Sequence, residues 1–144
     1  MLIKIITFNV AHGRGLDGKI DIERQADFIN KFKPDIVFLQ EIDMYTKRAG
    51  ERNQIREFSK RVFLPYSSME SNITLEDGYY GDGIISRFPI SFSVNYLMPL
   101  TDLQHEQRGI LCNRICLRNS KNKSIFSAFI NIWRWKNISL QRIK

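Results

Sequence analysis

The chain predicts an α/β fold that opens with a parallel strand pair and continues as antiparallel hairpins. Three observations carry that expectation. An apolar, β-prone run from Leu2 to Val10 is followed by a glycine-rich loop, an amphipathic helix and a second apolar run, Ile36 to Gln40. Strand, helix and strand within forty residues make one βαβ unit, whose two strands are parallel. Beyond residue 80 the chain turns to short β-prone runs separated by turn residues, without a helical period.

The elements follow in order. Leu2 to Val10 is read as the first strand, and Ala11 to Gly18, with three glycines, as a loop. Asp21 caps a helix from Ile22 to about Lys33. Ile22, Ala26, Ile29 and the stem of Lys33 share one stripe, which Phe28 and Phe32 widen. Pro34-Asp35 ends that helix, because the residue before proline is driven out of helical backbone. Ile36 to Gln40 is apolar without alternation, as a strand buried on both faces should be. A second helix is expected from Asn53 to Val62. Gly78 and Gly81 bracket Tyr79-Tyr80 in a predicted turn. Strands follow at Gly83–Ser86, Ile90–Met98, Gly109–Leu117 and Ser124–Ile130, with Arg87-Phe88-Pro89 as the break between the first two.

At 144 residues the chain is one domain or part of one. No stretch approaches the ~20 apolar residues that span a bilayer, and Met1 to Ile6 is too short for a signal-peptide core, so the expected location is the cytoplasm. Cys112 and Cys116 lie on one face of a predicted strand. At ~3.3 Å per residue their Cα atoms are about 13 Å apart, beyond disulfide reach. They are expected as reduced thiols, with no partners at zinc-ligand spacing. The net charge of +7 is uneven: all fifteen acids lie at or before Glu106, and nine Lys or Arg follow Gln107. Such a basic end either attracts phosphate-rich partners or is simply solvated.

In α/β sheets, ligands bind beyond the carboxyl ends of the strands. The βαβ topology brings Asn9 and Glu41 to adjacent ends of this kind, although thirty-two positions separate them. Phosphate-ester hydrolysis needs charge neutralised on the phosphate oxygens and a water activated for attack. Mg²⁺ serves both needs with only one or two protein carboxylates, because it keeps several waters. Glu41 suits such an ion, and the Asn9 amide can bond a phosphate oxygen or orient a ligand. A surface pair that merely caps turns has the same composition.

The neighbouring strings add weight. Thr7-Phe8-Asn9-Val10-Ala11-His12-Gly13, Gly15-Leu16-Asp17-Gly18 and Pro34-Asp35-Ile36-Val37-Phe38-Leu39-Gln40-Glu41-Ile42-Asp43 follow in that order. Thr46-Lys47-Arg48-Ala49-Gly50, Tyr80-Gly81-Asp82-Gly83-Ile84-Ile85-Ser86-Arg87-Phe88-Pro89-Ile90 and Glu106-Gln107-Arg108-Gly109 come after them. Their order and spacing resemble the amino-terminal half of the endonuclease/exonuclease/phosphatase superfamily, over about residues 2 to 118. The resemblance implies a DNase I-like four-layer α/β sandwich, present here as its amino-terminal half. It also implies metal-dependent phosphoester hydrolysis with Mg²⁺ or Mn²⁺.

Carried over, Asn9 and Glu41 are the catalytic and metal-binding pair. His12, Tyr80, Asp82 and Arg108 are candidate substrate-binding residues. Many relatives have Asn where Asp82 stands, and a carboxylate there would bind metal, repel phosphate, or bond its own turn. Arg108 fits bidentate phosphate binding or a salt bridge equally. Arg48 follows the family pattern without an evident role.

From about Phe129 the likeness is lost. The expected Thr-His-Leu and Gly-Asp-x-Asn strings and a terminal histidine are absent, and His105 belongs to no such motif. Residues 2–128 are therefore expected as a partial domain and 129–144 as a divergent basic and aromatic tail, the product of a truncated or shifted frame. Little turnover is expected of such a piece alone. A non-enzymatic fragment that binds nucleic acid through this tail, or another protein through open strand edges, is the rival expectation, and a gene remnant is the third.

Overall fold

Burial of the apolar runs sorts the chain into one layer of helices and two sheets. The computed structural model describes residues 2–100, 106–119 and 122–131. His105 and the tail beyond 131, including Trp133 to Asn137, lie outside the described residues, and with them the nucleic-acid reading of that tail.

The first sheet runs in the order β1 (Ile5–Asn9), β2 (Ile36–Met44), β4 (Gly78–Ser86), β3 (Tyr66–Leu75), and the second in the order β5 (Ile90–Leu97), β6 (Gly109–Asn119), β7 (Asn122–Asn131). β1 and β2 are parallel, with Asn9 beside Gln40, and every other pairing is antiparallel. Helices α1 (Ile22–Asn30) and α2 (Gln54–Val62) are capped by Asp21 and Asn53, whose side chains accept from the main-chain N–H three residues on.

β2 and β4 are buried on both faces, the condition that forbids alternation in their sequences. Val37, Leu39 and Ile85 face Ile22, Ala26, Ile29, Phe58 and Val62 of the helices. Ile36, Phe38 and Ile84 instead pack with Leu111, Ile115 and Leu117 of β6. The layers are helix, sheet, sheet. Among the described residues no helix covers the outer side of the second sheet, so the sandwich is not closed, in keeping with the partial fold expected.

Several boundaries move. β1 begins at Ile5, α1 stops at Asn30, and β2 continues past Gln40 to Met44. β3 was not anticipated: its Ser, Asn and Glu content makes it read as loop, yet as the outer strand it needs little apolar surface. The turn expected at Gly78–Gly81 is instead the start of β4. Its glycines serve close approach. A Cβ on Gly78 would strike the Met44 carbonyl, and one on Gly81 the Glu70 carbonyl. Phe28 and Phe32 do not widen the core stripe; both are about half exposed, Phe28 against Phe8 of β1 and Phe32 edge-on to Phe28. Cys112 and Cys116 are free thiols.

Phe58 is fully buried between α2 and the first sheet, whereas Phe28 is 47% exposed. Phe58→Ala is expected to cost about 3–5 kcal/mol in urea unfolding, and Phe28→Ala about 1 kcal/mol. Equal losses would contradict this division of core and surface.

Candidate active site

The site is built on an irregularity in β2. Leu39 pairs with Gly83 and Ile42 with Gly81, so Gln40 and Glu41 together oppose the single residue Asp82. This is a β-bulge, which bends a strand and re-aims its side chains. Glu41 takes left-handed backbone there, with φ of 57°, and its main-chain N–H donates to the Asp82 carboxylate. The sequence placed Glu41 at a strand end, whereas it lies inside β2. Asp82, expected in a turn, lies inside β4.

Asn9 is the last residue of β1. Its Nδ2 donates to Glu41 Oε1 at 2.9 Å, and its Oδ1 accepts from the Ala11 N–H at 2.9 Å. The two bonds fix which way the amide faces. Gln40 Nε2, donating to Thr7 Oγ1 at 2.6 Å, braces the same two strand ends. The juxtaposition inferred from the βαβ topology is therefore present.

His12 lies in a 3-10 turn, Ala11–Gly13, with φ of 50°. Its carbonyl accepts from Gln54 Nε2 at 2.7 Å, while Gln54 Oε1 accepts from the Asp43 N–H at 3.0 Å. One buried amide at the start of α2 thus ties the turn to β2. The imidazole ring centroid lies 5.9 Å from that of Tyr80. Burial, and then the Arg48 charge, hold the His12 pKa below its ordinary value. Its buried Nδ1 has no hydrogen-bond partner among the described residues.

Tyr80 pairs with Asp43 across β4 and β2. Burial, followed by the charges of Glu41 and Glu106, pushes its hydroxyl pKa up. Arg48, which the sequence left without a role, stacks over this ring at 5.0 Å and grips Asp43 bidentately, Nε to Oδ2 at 2.6 Å and a terminal nitrogen to Oδ1 at 2.7 Å. Thr46 Oγ1 donates to the same carboxylate at 2.7 Å. Asp43 and Thr46 escaped the sequence reading. Asp43 is 0% exposed, and its place at the end of the family-like string from Pro34 was the signal the sequence offered.

Asp82 is 3% exposed and accepts from Asn72 Nδ2 at 2.9 Å. Burial pushes its carboxyl up to about 6, against the bonds from Asn72 and the Glu41 N–H and the charge of Arg108. Arg108 itself is paired with Glu106 at 2.8 Å. Of the residues singled out from the sequence, Asn9 and Glu41 are hydrogen-bonded and His12 and Tyr80 lie ring beside ring, while the charges of Glu41 and Arg108 act on both Tyr80 and Asp82. A groove of about 470 Å³ between α1 and α2 shares none of them.

Among the described residues no three His, Cys, Asp or Glu are grouped to hold a metal. A zinc cage of four protein ligands does not fit. A hard cation that keeps most of its waters does fit Glu41, an oxygen donor held by an amide.

No curated protein matches this sequence. Solved structures do share its fold. An endonuclease/exonuclease/phosphatase from Beutenbergia cavernae DSM 12333 aligns with 88% of the chain at TM-score 0.66 and 17% identity. A family protein from Leptotrichia buccalis C-1013-b aligns with 88% at TM-score 0.57 and 16% identity. A humanized D. rerio TDP2 aligns with 92% at TM-score 0.54 and 22% identity. The chain spans 37%, 53% and 49% of these three proteins, respectively. The family model described as Endonuclease/Exonuclease/phosphatase family matches residues 6–121. By that match over most of its length, with the mixed α/β fold to go with it, the chain belongs to the endonuclease/exonuclease/phosphatase family of hydrolases.

Proposed function

We propose that this chain carries the amino-terminal part of a metal-dependent phosphoesterase site, for hydrolysis of a phosphodiester or phosphomonoester by water. The observation that carries the reading is the Asn9–Glu41 hydrogen bond, made where the parallel pairing of β1 with β2 ends. In this reading Glu41 holds Mg²⁺ or Mn²⁺, and Asn9 keeps its carboxylate aimed. The ion, when bound, neutralises phosphate charge and makes a water nucleophilic. Tyr80 keeps its proton, its pKa being raised, and so donates to a phosphate oxygen. His12, held neutral near pH 7, offers one N–H beside it. Arg108 supplies the cation that attracts the ester. Phosphate esters, nucleic acids among them, are the proposed substrates. No described helix is long and apolar enough to cross a membrane.

Mn²⁺ titration followed by water-proton relaxation tests the reading. The wild-type chain is expected to bind, and Glu41→Ala to bind at least about tenfold more weakly. Equal affinity in the two proteins would remove Glu41 as the ligand.

His12 gives a second, metal-free check. Its folded pKa is depressed, so its contribution to stability is present above about 6.5 and is lost as the pH falls below that value. Its imidazole carbon resonance in NMR is expected to titrate below 6.5. Arg48→Gln removes a cation and leaves the Asp43 charge uncovered, so it should move the midpoint upward. A downward or absent shift would contradict the assigned surroundings.

A further inference from the structure

Asp82 stands at the meeting point of two bulges. The first is that of β2 at Gln40–Glu41. The second is in β3, where Ser71 pairs with Gly81 and Ile73 with Tyr80, leaving Asn72 as the extra residue. Asn72 Nδ2 donates to Asp82 Oδ2 at 2.9 Å, and Asn95 Nδ2 of β5 donates to Asn72 Oδ1 at 2.8 Å and to the Ser71 carbonyl at 2.9 Å. Gly109 leaves the room these amides need, since a Cβ there would overlap both Asn72 Oδ1 and the Asn95 amide.

We propose that Asn95, Asn72 and Asp82 form a directional hydrogen-bond relay, anchored on the second sheet, that holds the Glu41 bulge and so aims the carboxylate that binds metal. This rests on the metal-binding reading above and makes Asp82 a positioning residue in place of the substrate contact suggested by its sequence.

The direction of the relay is forced by its two ends. At one end the Ser71 carbonyl requires an N–H from Asn95, so the Asn95 amide cannot be reversed. At the other the Glu41 N–H requires an acceptor. Each intervening amide has one oxygen and one NH₂, and only an acceptor-only group at position 82 can receive donors from both sides. An amide at that position turns its NH₂ toward that of Asn72. Reversing Asn72 merely moves the donor–donor conflict to Asn95, so one bond is lost in any arrangement. Exchanging the two residues removes the conflict. In the double variant Asn72→Asp with Asp82→Asn, the carboxylate moves to β3 and the amide to β4. The relocated carboxylate then accepts from Asn95 on one side and from the relocated amide on the other. The oxygen of that amide accepts from the Glu41 N–H.

The experiment measures amide hydrogen exchange at Glu41 by NMR, without metal, and Mn²⁺ affinity by water-proton relaxation. Asp82→Asn is expected to speed Glu41 exchange about tenfold and to weaken Mn²⁺ about tenfold. The double exchange variant should restore both. Asn95→Ala, which cuts the relay at its far end, should shift both in the direction of Asp82→Asn by less. Unchanged Glu41 exchange in Asp82→Asn overturns the relay. So does a double variant that behaves like Asp82→Asn, the result expected if the Asp82 charge itself touches metal or substrate. If Asp82→Asn does not fold, a double variant that folds and binds Mn²⁺ supports the relay, and one that fails as well overturns it. Should the wild type bind no Mn²⁺ while Glu41 exchange follows the expected pattern, the metal reading falls and the relay stands.

Discussion

One extra residue in β2 governs the rest of the site. A regular strand sends alternate side chains to opposite faces, and β2 has the helices on one face and the second sheet on the other. Without the bulge, Glu41 would follow Val37 and Leu39 toward the helical core, where an unpaired carboxylate is costly. The bulge turns it to meet Asn9. Left-handed backbone at a non-glycine residue costs about 1–2 kcal/mol. The bonds to Asn9 Nδ2 and Asp82 offset that cost, since bonds to charged acceptors contribute about 1.5–3 kcal/mol each.

Three acids of β2 and β4 are buried, and each is met differently. Asp43 is fully enclosed and is answered by a guanidinium and a hydroxyl, so that its charge is cancelled in place. Asp82 receives an amide N–H and a backbone N–H, which lower its pKa without offsetting its burial, so the carboxyl still rises to about 6. Glu41 takes a neutral amide from Asn9. The Asp43–Arg48 pair has another consequence. A guanidinium pinned by two bonds also stacks on Tyr80, so one ion pair fixes the ring that lies beside His12. Breaking it would disturb three side chains together.

The legible parts of this chain were those set by local periodicity or by topology. Ile22, Ala26 and Ile29 announce α1 by spacing alone, and β2 announces its two-sided burial by lacking polar alternation. Asn9 and Glu41 were paired across thirty-two positions because parallel strands separated by one helix must end on the same side. What stayed hidden depends on distances that no period encodes. Gly78 and Gly81 read as turn glycines, whereas they are glycines because the Met44 and Glu70 carbonyls pass too close for a Cβ. The β2 bulge leaves no mark in Leu39-Gln40-Glu41-Ile42, because it follows from a count against β4, a different segment. Asn72 and Asn95 are ordinary polar residues of strands until the register between sheets brings their amides together.

In the proposed reading, the groups around Glu41 serve binding more than proton transfer. Tyr80 holds its proton too tightly to serve as a base near neutral pH. Burial and the Arg48 charge lower the His12 pKa from its ordinary value. Asp43 is committed to Arg48 and Thr46. Tyr80 and His12 are suited to donate hydrogen bonds and stack, and Asp43 to orient Arg48. Efficient proton transfer requires a group whose pKa lies near the working pH. Asp82, raised to about 6, is one such group, but its carboxylate already accepts from Asn72 and from the Glu41 N–H. A carboxylate occupied in shaping the backbone of its neighbour is poorly placed to exchange protons with a substrate. The same occupation gives the Glu41 bulge its rigidity.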